Sequence, residues 1–426
     1  MTARDGVADL DDARERLVSF GLNASHHQVP LAGSMDRILA VAIDADRDLP
    51  PFNRSAMDGI AIRASEFKPG VRFRILRTVA AGDPPGELPP PGCGVRIATG
   101  AAVPEGLDTV VKRELLTVVV GGDVEIVETR ATEAPPWRAI HRRGLDARAG
   151  ESLVPAGCRV DPSIIALAAT TGHSRLSVRT RPRCVILTTG DELSEVDDPL
   201  EGDRNRYRIR DGNGPMLAAT LQDLGAEIVR VARVSDDLLD TRSSIERSLD
   251  EADLCITVGG VSAGDLDFVP TAASDLGLHR DGDGVGVQPG RPFSWWTRGD
   301  ALRVAGLPGN PVSALVCAHL FIRPWLDASL GLDPRRAWSM RRLGSVTTPN
   351  PGRIACRPSR FETDAEGRPL ATVASWNGSG DLVHLAGTHG IARLPRQTGD
   401  LEAGTPVPTL AWSPTFASDP ELEGCG

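Results

Sequence analysis

RCVILTTGDEL, residues 183–193, decides how this chain is read. A short apolar, β-branched run ends at Gly190, and Asp191 and Glu192 follow at once. A run this short and continuously apolar suits a strand buried on both faces. The pattern then repeats up to residue 330. LAATLQDLGA (217–226) has helical spacing, EIVRVARV (227–234) reads as a strand and LLDTRSSIERSL (238–249) as a helix. DLCITVGG (253–260) and LRVAGLPGN (302–310) are further strands, and a helix begins at Pro311. Alternating strands and helices with apolar strands specify a parallel sheet covered on both sides, an α/β domain.

Ligands of such sheets bind beyond the carboxyl ends of the strands. The residues after each strand are therefore the first candidates: Asp191 and Glu192; Ser235, Asp236 and Asp237; Ser262, Gly264, Asp265 and Asp267; Pro308, Gly309 and Asn310. Singly, each acid reads equally well as a helix cap or a solvated loop charge. Together they would repel one another unless a cation lay among them, and hard oxygen ligands favour Mg²⁺. Asp191, Glu192, Asp236, Asp265 and Asp267 are the expected metal ligands. In GGVSAGDLD (259–267), Gly259, Gly260 and Gly264 would let the backbone approach a ligand and present N–H groups to it, although a plain tight turn also explains them. Asn310 suits an N-cap and Pro311 the first helical position, so the helix start is expected to offer free amides to an anion. Arg291, between Pro289 and Pro292, is a forked cation on a stiff turn, suited to an oxyanion or simply a surface arginine. Asn213, before the next helix, is a ligand contact or a cap.

Around this core the pattern changes. Residues 70–130 carry short runs (VRFRILRTV, GVRIATG, TVVKRELLTVVV, DVEIVET) between Gly/Pro clusters, a small β-rich module. Residues 340–412 return to short strands, a second β module at the C-terminal side. The chain has 426 residues, 41% of them hydrophobic, and a net charge of −10. That balance gives no general attraction to nucleic acid or anionic membrane. Lys68 and Lys112 are the only lysines, so any anion site must rest on arginine, backbone amides or metal. The 7 cysteines are scattered without a CxxC, which speaks against a disulfide framework or a structural zinc site. The acidic, polar N-terminal stretch does not read as a signal peptide, and no apolar run approaches a membrane span. A reduced cytoplasmic location is the expectation.

NRSAMDGIAIR, GVRIATGAAVPEGLDTVVKRE, TTGDEL, DGNGPMLAA, ITVGGVSAGDLDFV, QPGRPFSWW and GLPGNPVSALV occur in one order along the chain. WNGSGDLVHLAGTHGIARLP is a looser addition. In this set the sequence resembles the molybdopterin molybdenumtransferase family, the MoeA-type enzymes that include the C-terminal domain of gephyrin. The resemblance covers about residues 10–412. It implies an elongated multi-domain subunit: a discontinuous helical and mixed N-terminal domain (9–50 and 142–180), an inserted β-rich domain (51–141), the α/β molybdopterin-binding domain (181–332) and a C-terminal β domain (338–412). It implies a homodimer in which Asp58 and Thr99 of one subunit face Asp191, Glu192, Asp236 and Asp267 of the other. It implies a Mg²⁺-assisted reaction in which adenylylated molybdopterin takes up molybdate and releases AMP. Asp58, Thr99, Glu192, Asp236 and Asp267 would be catalytic. Asn213, Gly259, Gly260, Ser262, Gly264, Arg291, Pro308, Gly309, Asn310 and Ser379 would bind substrate. The sequence departs from the family at Gln288 and Arg291, where lysines are frequent. Two other readings stand beside this one. One is a molybdopterin adenylyltransferase, which would have no need of the long N-terminal half. The other is a pterin-binding paralogue without turnover.

Overall fold

A computed structural model of the chain describes residues 7–22, 25–120, 125–199, 206–261 and 267–413. It divides into two compact units, residues 28–178 and residues 1–27 with 179–426.

The second of these is built on a six-stranded sheet. Its spatial order is Glu227–Val234, Arg183–Thr189, Leu254–Val258, Ala301–Leu307, Ser294–Arg298, His279–Asp283. The first four strands run parallel, as expected. The last two are antiparallel, an addition that the sequence reading did not contain. Ser294–Arg298 carries Trp295 and Trp296 and joins Ala301–Leu307 through the Gly299–Asp300 turn, a short connection that only an antiparallel pair permits. The continuously apolar strands are explained by two cores, one on each face. Cys184 and Ile186 enter one cluster with Leu217, Phe293, Phe321 and Trp325. Val185 and Leu187 enter the other with Ile245, Val269 and Trp296. Alternate side chains leave a strand on opposite sides, so a sheet covered twice needs apolar residues at every position.

Helix Leu10–Val18 lies in the segment 9–50 that the resemblance joins to residues 142–180. Its apolar stripe, Leu10, Ala13 and Leu17, packs into the core beneath the helical run Pro311–Ser329. Trp325 Nε1 donates to the Phe20 carbonyl at 3.1 Å, and Arg16 forms a forked ion pair with Asp281 at 2.8 and 2.9 Å. The C-terminal β domain is a closed barrel. Ile354–Thr363, Pro369–Val373, Trp338–Leu343, Pro406–Ala411 and Gly390–Leu394 pair in turn, and the last returns to the first.

The unit 28–178 contains its own six-stranded sheet, ordered Thr109–Lys112, Gly59–Ile62, Cys93–Ile97, Arg72–Val79, Glu125–Thr129, Leu116–Val120. Ile60 and Ile62 face one cluster and Ala61 the other, the two-residue period of a strand buried on both sides. A separate cluster joins Leu39 and Ile43 to Val154, Val160, Ala168, Leu176 and Val178. Segments on either side of the inserted sheet thus share one core.

Candidate functional site

Along the parallel sheet, chain order reverses beside Arg183–Thr189. The next strand lies on one side of it and the later strands on the other. Loops leaving the two central strands diverge there and open a crevice at their carboxyl ends. Gly259 and Gly260 line it at φ +89° and +65°. A Cβ on Gly259 would lie 2.7 Å from Thr189 Oγ1, so the backbone passes where no side chain fits.

Three acids lie at this edge. Asp191 N donates to Asp236 Oδ2 at 3.2 Å, and Asp236 N donates to Asp191 Oδ1 at 3.3 Å. This exchange joins two loops 45 residues apart in sequence and uses one oxygen of each carboxylate. The Glu192 carboxylate lies against Gly190, where a Cβ would overlap it. Asp237 is different: its carboxylate accepts from Asp240 N at 2.9 Å and caps helix Leu238–Glu251. The cap reading is therefore right for Asp237, and Asp236 is left facing Asp191. Ser262, Gly264 and Asp265 lie outside the described residues. Asp267 stands two residues before helix Val269–Asp275.

The remaining loops are tied together by side chains. Asp211 Oδ1 accepts from the amides of Asn213 and Gly214, both at 3.0 Å, and its Oδ2 accepts from Thr188 Oγ1 at 2.7 Å. Asn213 is thus not the cap of its helix. Its Nδ2 donates to the Gly309 carbonyl at 2.7 Å. Asn310 occupies the N-cap position by backbone only, and its Nδ2 donates to Ser379 Oγ at 3.0 Å. The expectation of free amides at this helix start is narrowed. Pro311 has none, and Val312 N donates to the Ser379 carbonyl at 3.0 Å. The cause is packing: the 376–385 segment of the barrel domain rests on this edge, with Leu382 reaching the backbone of Gly212.

Arg291 lines an open cleft of about 1410 Å3 with Arg353, Arg393 and Arg396, and Asp9 and Asp12 share the wall. Arg393 is engaged by Asp11 at 2.6 and 2.9 Å. Gln288 is held to the barrel domain, its Oε1 accepting from Asn350 Nδ2 at 2.6 Å. In the other unit, Asp58 Oδ1 accepts from Thr99 N at 2.7 Å and from Thr99 Oγ1 at 3.0 Å. These two bonds hold the Asp58 carboxyl below its ordinary pKa. Asp58 and Thr99 form one exposed pair, which neither residue suggests alone.

Comparison with known proteins agrees with this architecture. Residues 8–172 match the MoeA N-terminal region (domain I and II), 185–328 a probable molybdopterin binding domain, and 341–412 the MoeA C-terminal region (domain IV). A molybdopterin molybdenumtransferase of Synechocystis is 31% identical over 89% of this chain and 93% of its own. Molybdopterin molybdenumtransferase 2 of Mycobacterium tuberculosis is 35% identical over 88% and 93%. The chain belongs to the molybdopterin molybdenumtransferase family. The crystal structure of a molybdopterin biosynthesis MoeA protein from Pyrococcus horikoshii superposes with a TM-score of 0.80 at 26% identity, covering 96% of this chain and 99% of that one. The closed C-terminal barrel and the central α/β domain are therefore family architecture.

Two features of this family member escaped the sequence reading. Asp211 was not among the candidate residues, yet an aspartate two residues ahead of a helix is a capping signal. The arginines around Arg291 come from segments far apart in sequence, and no local pattern joins them.

Proposed function

We propose that this chain inserts molybdate into adenylylated molybdopterin and releases AMP, in the formation of molybdenum cofactor. The observation carrying this reading is the placement of Asp191, Glu192 and Asp236 and of the Gly259–Gly260 turn at one carboxyl edge, beside the reversal point of the sheet. A nucleotide-linked pterin needs such a place, where backbone amides receive phosphate oxygens and carboxylates manage a cation. In this reading Asn213, Gly309 and Asn310 border the pterin, and Ser379 reaches the same border from the barrel domain. Arg291 and its neighbouring arginines attract molybdate despite the net charge of −10. Asp58 and Thr99 join the catalytic set as groups brought in by the second subunit of a cytoplasmic homodimer. Among the described residues no helix is long and apolar enough to cross a membrane.

Mg²⁺ suits the donor set in a specific way. Among the described residues no group of three or more His, Cys, Asp or Glu could hold a metal. Two or fewer carboxylates with substrate oxygens and water is the coordination Mg²⁺ accepts. Asp191 and Asp236, whose loops meet, are the two residues that would hold it, with Glu192, Asp265 and Asp267 as alternative ligands. When bound it neutralises phosphate charge and polarises the anhydride. The protein's own work is positioning: the Asp191–Asp236 exchange fixes both loops, and the glycine turn lets the anhydride approach the backbone.

The test is AMP release and molybdenum loading with adenylylated molybdopterin, molybdate and Mg²⁺. Glu192→Gln keeps the shape and removes the charge, and it should slow AMP release by about a hundredfold or more with the fold intact. Unchanged turnover would remove Glu192 from the site. ATP consumption with unadenylylated molybdopterin would replace the proposal with adenylyl transfer.

A further inference from the structure

We infer that Asp211 is a positioning residue for the whole carboxyl edge, setting the Gly309–Asn310 loop through Asn213. The inference rests on that edge being the pterin site. Five observations carry it. Thr188, the penultimate residue of the central strand, is 1% exposed and donates its hydroxyl to Asp211 Oδ2 at 2.7 Å. The other oxygen receives the first two amides of helix Asn213–Asp223. One carboxylate thus locks a strand end to a helix start. Asn213, fixed by its own amide, then donates to the Gly309 carbonyl 96 residues away. The Asn213 Oδ1 atom is buried and has no hydrogen-bond partner among the described residues. The orientation of this side chain therefore depends on its backbone and on the single bond to Gly309, and both follow from Asp211. The next residue, Asn310, carries the connection to Ser379 of the barrel domain at 3.0 Å.

Gly214 supplies the space that this arrangement needs. A Cβ there would lie 2.8 Å from Asp211 Oδ2 and 3.0 Å from Val231 Cγ1. On helix propensity alone alanine would be the better residue, so glycine at this position marks room kept for the carboxylate.

The test uses the full chain with Asp211→Ala, Asp211→Asn and Gly214→Ala, each assayed at a temperature where circular dichroism shows it folded. Loops that hold substrate equally before and during reaction act on KM, whereas the carboxylates of the edge act on kcat. Asp211→Ala and Gly214→Ala should raise KM for adenylylated molybdopterin about tenfold and leave kcat within about twofold. Asp211→Asn should restore KM to near the parent value. Its Oδ1 still accepts both amides, and its Nδ2 can donate to Thr188 Oγ1. Hydrogen exchange of the peptides covering 308–312 and 376–385 should quicken in Asp211→Ala and Gly214→Ala and stay as in the parent for Asp211→Asn. Unchanged exchange in these peptides overturns the inference whatever the reaction is. An unchanged KM in folded Asp211→Ala or Gly214→Ala overturns it as well. Should Asp211→Ala not fold, Gly214→Ala decides, since a purely structural cap leaves its KM alone. A parent protein that releases no AMP defeats the proposed reaction only, and the exchange measurement still decides the role of Asp211.

Discussion

The helical run Pro311–Ser329 begins at the carboxyl edge and ends in the core, and its two ends treat polar groups in opposite ways. At the start, Asn310 is exposed and partnered by Ser379. Further along, His319 is 1% exposed, lies tilted beside Trp412 with ring centroids 4.9 Å apart, and has no hydrogen-bond partner for either ring nitrogen among the described residues. Burial, with Arg323 nearby as a lesser cause, pushes the His319 pKa down to about 3. A polar residue in a helix can thus be a wired contact at the rim or a neutral, costly filler in the interior. Exposure and partners separate the two; residue type does not. The edge acids follow the same division, with Asp237 a helix cap and Asp236 turned to Asp191.

Three variants test the contrast between rim and interior. The largest effect belongs to the interior. Trp325 is fully buried and bonded to the Phe20 carbonyl, so Trp325→Ala should cost about 3–5 kcal/mol in denaturant unfolding. A loss under about 1 kcal/mol would mean that the N-terminal helix is not part of this core. Next comes His319→Leu, which removes a buried polar group that has no partner and should stabilise by about 1 kcal/mol. The sign with pH follows from the lowered pKa. The native state holds His319 neutral, whereas the unfolded chain protonates it near its ordinary value of about 6.5. Its contribution is therefore complete above that pH and is lost as pH falls toward about 3. The leucine variant should lack this part of the decline, and parallel stability curves for the two proteins would show that His319 is not neutralised by burial. The smallest effect is at the rim. Ser379→Ala loses one exposed side-chain bond but keeps its carbonyl on Val312 N, and should shift stability by less than about 0.5 kcal/mol. A larger loss would make the 376–385 segment a structural prop of the helix start.

The residues 183–310 could be read in advance because their information is local. Apolar runs of strand length, helical spacing between them and the acids following each run are all visible within short windows. The antiparallel Ser294–Arg298 strand was missed because two prolines beside it read as a loop, and the pairing that makes it a strand comes from Ala301–Leu307. The apolar stripe of helix Leu10–Val18 states that a face is buried and not against what; its partners, Phe321 and Trp325 among them, come from the far end of the chain.

By itself the sequence determined the α/β core, the flanking β modules and the set of acids at the strand ends, because periodicity and the residues after a strand depend on near neighbours. Only the tertiary structure decided which of those residues meet. Asp191 finds Asp236 across 45 residues, Asn310 finds Ser379 across 69, and Asn213 finds Gly309 across 96. Such pairings are fixed by how finished elements pack and where the sheet reverses, and nothing in the spacing of single residues encodes that.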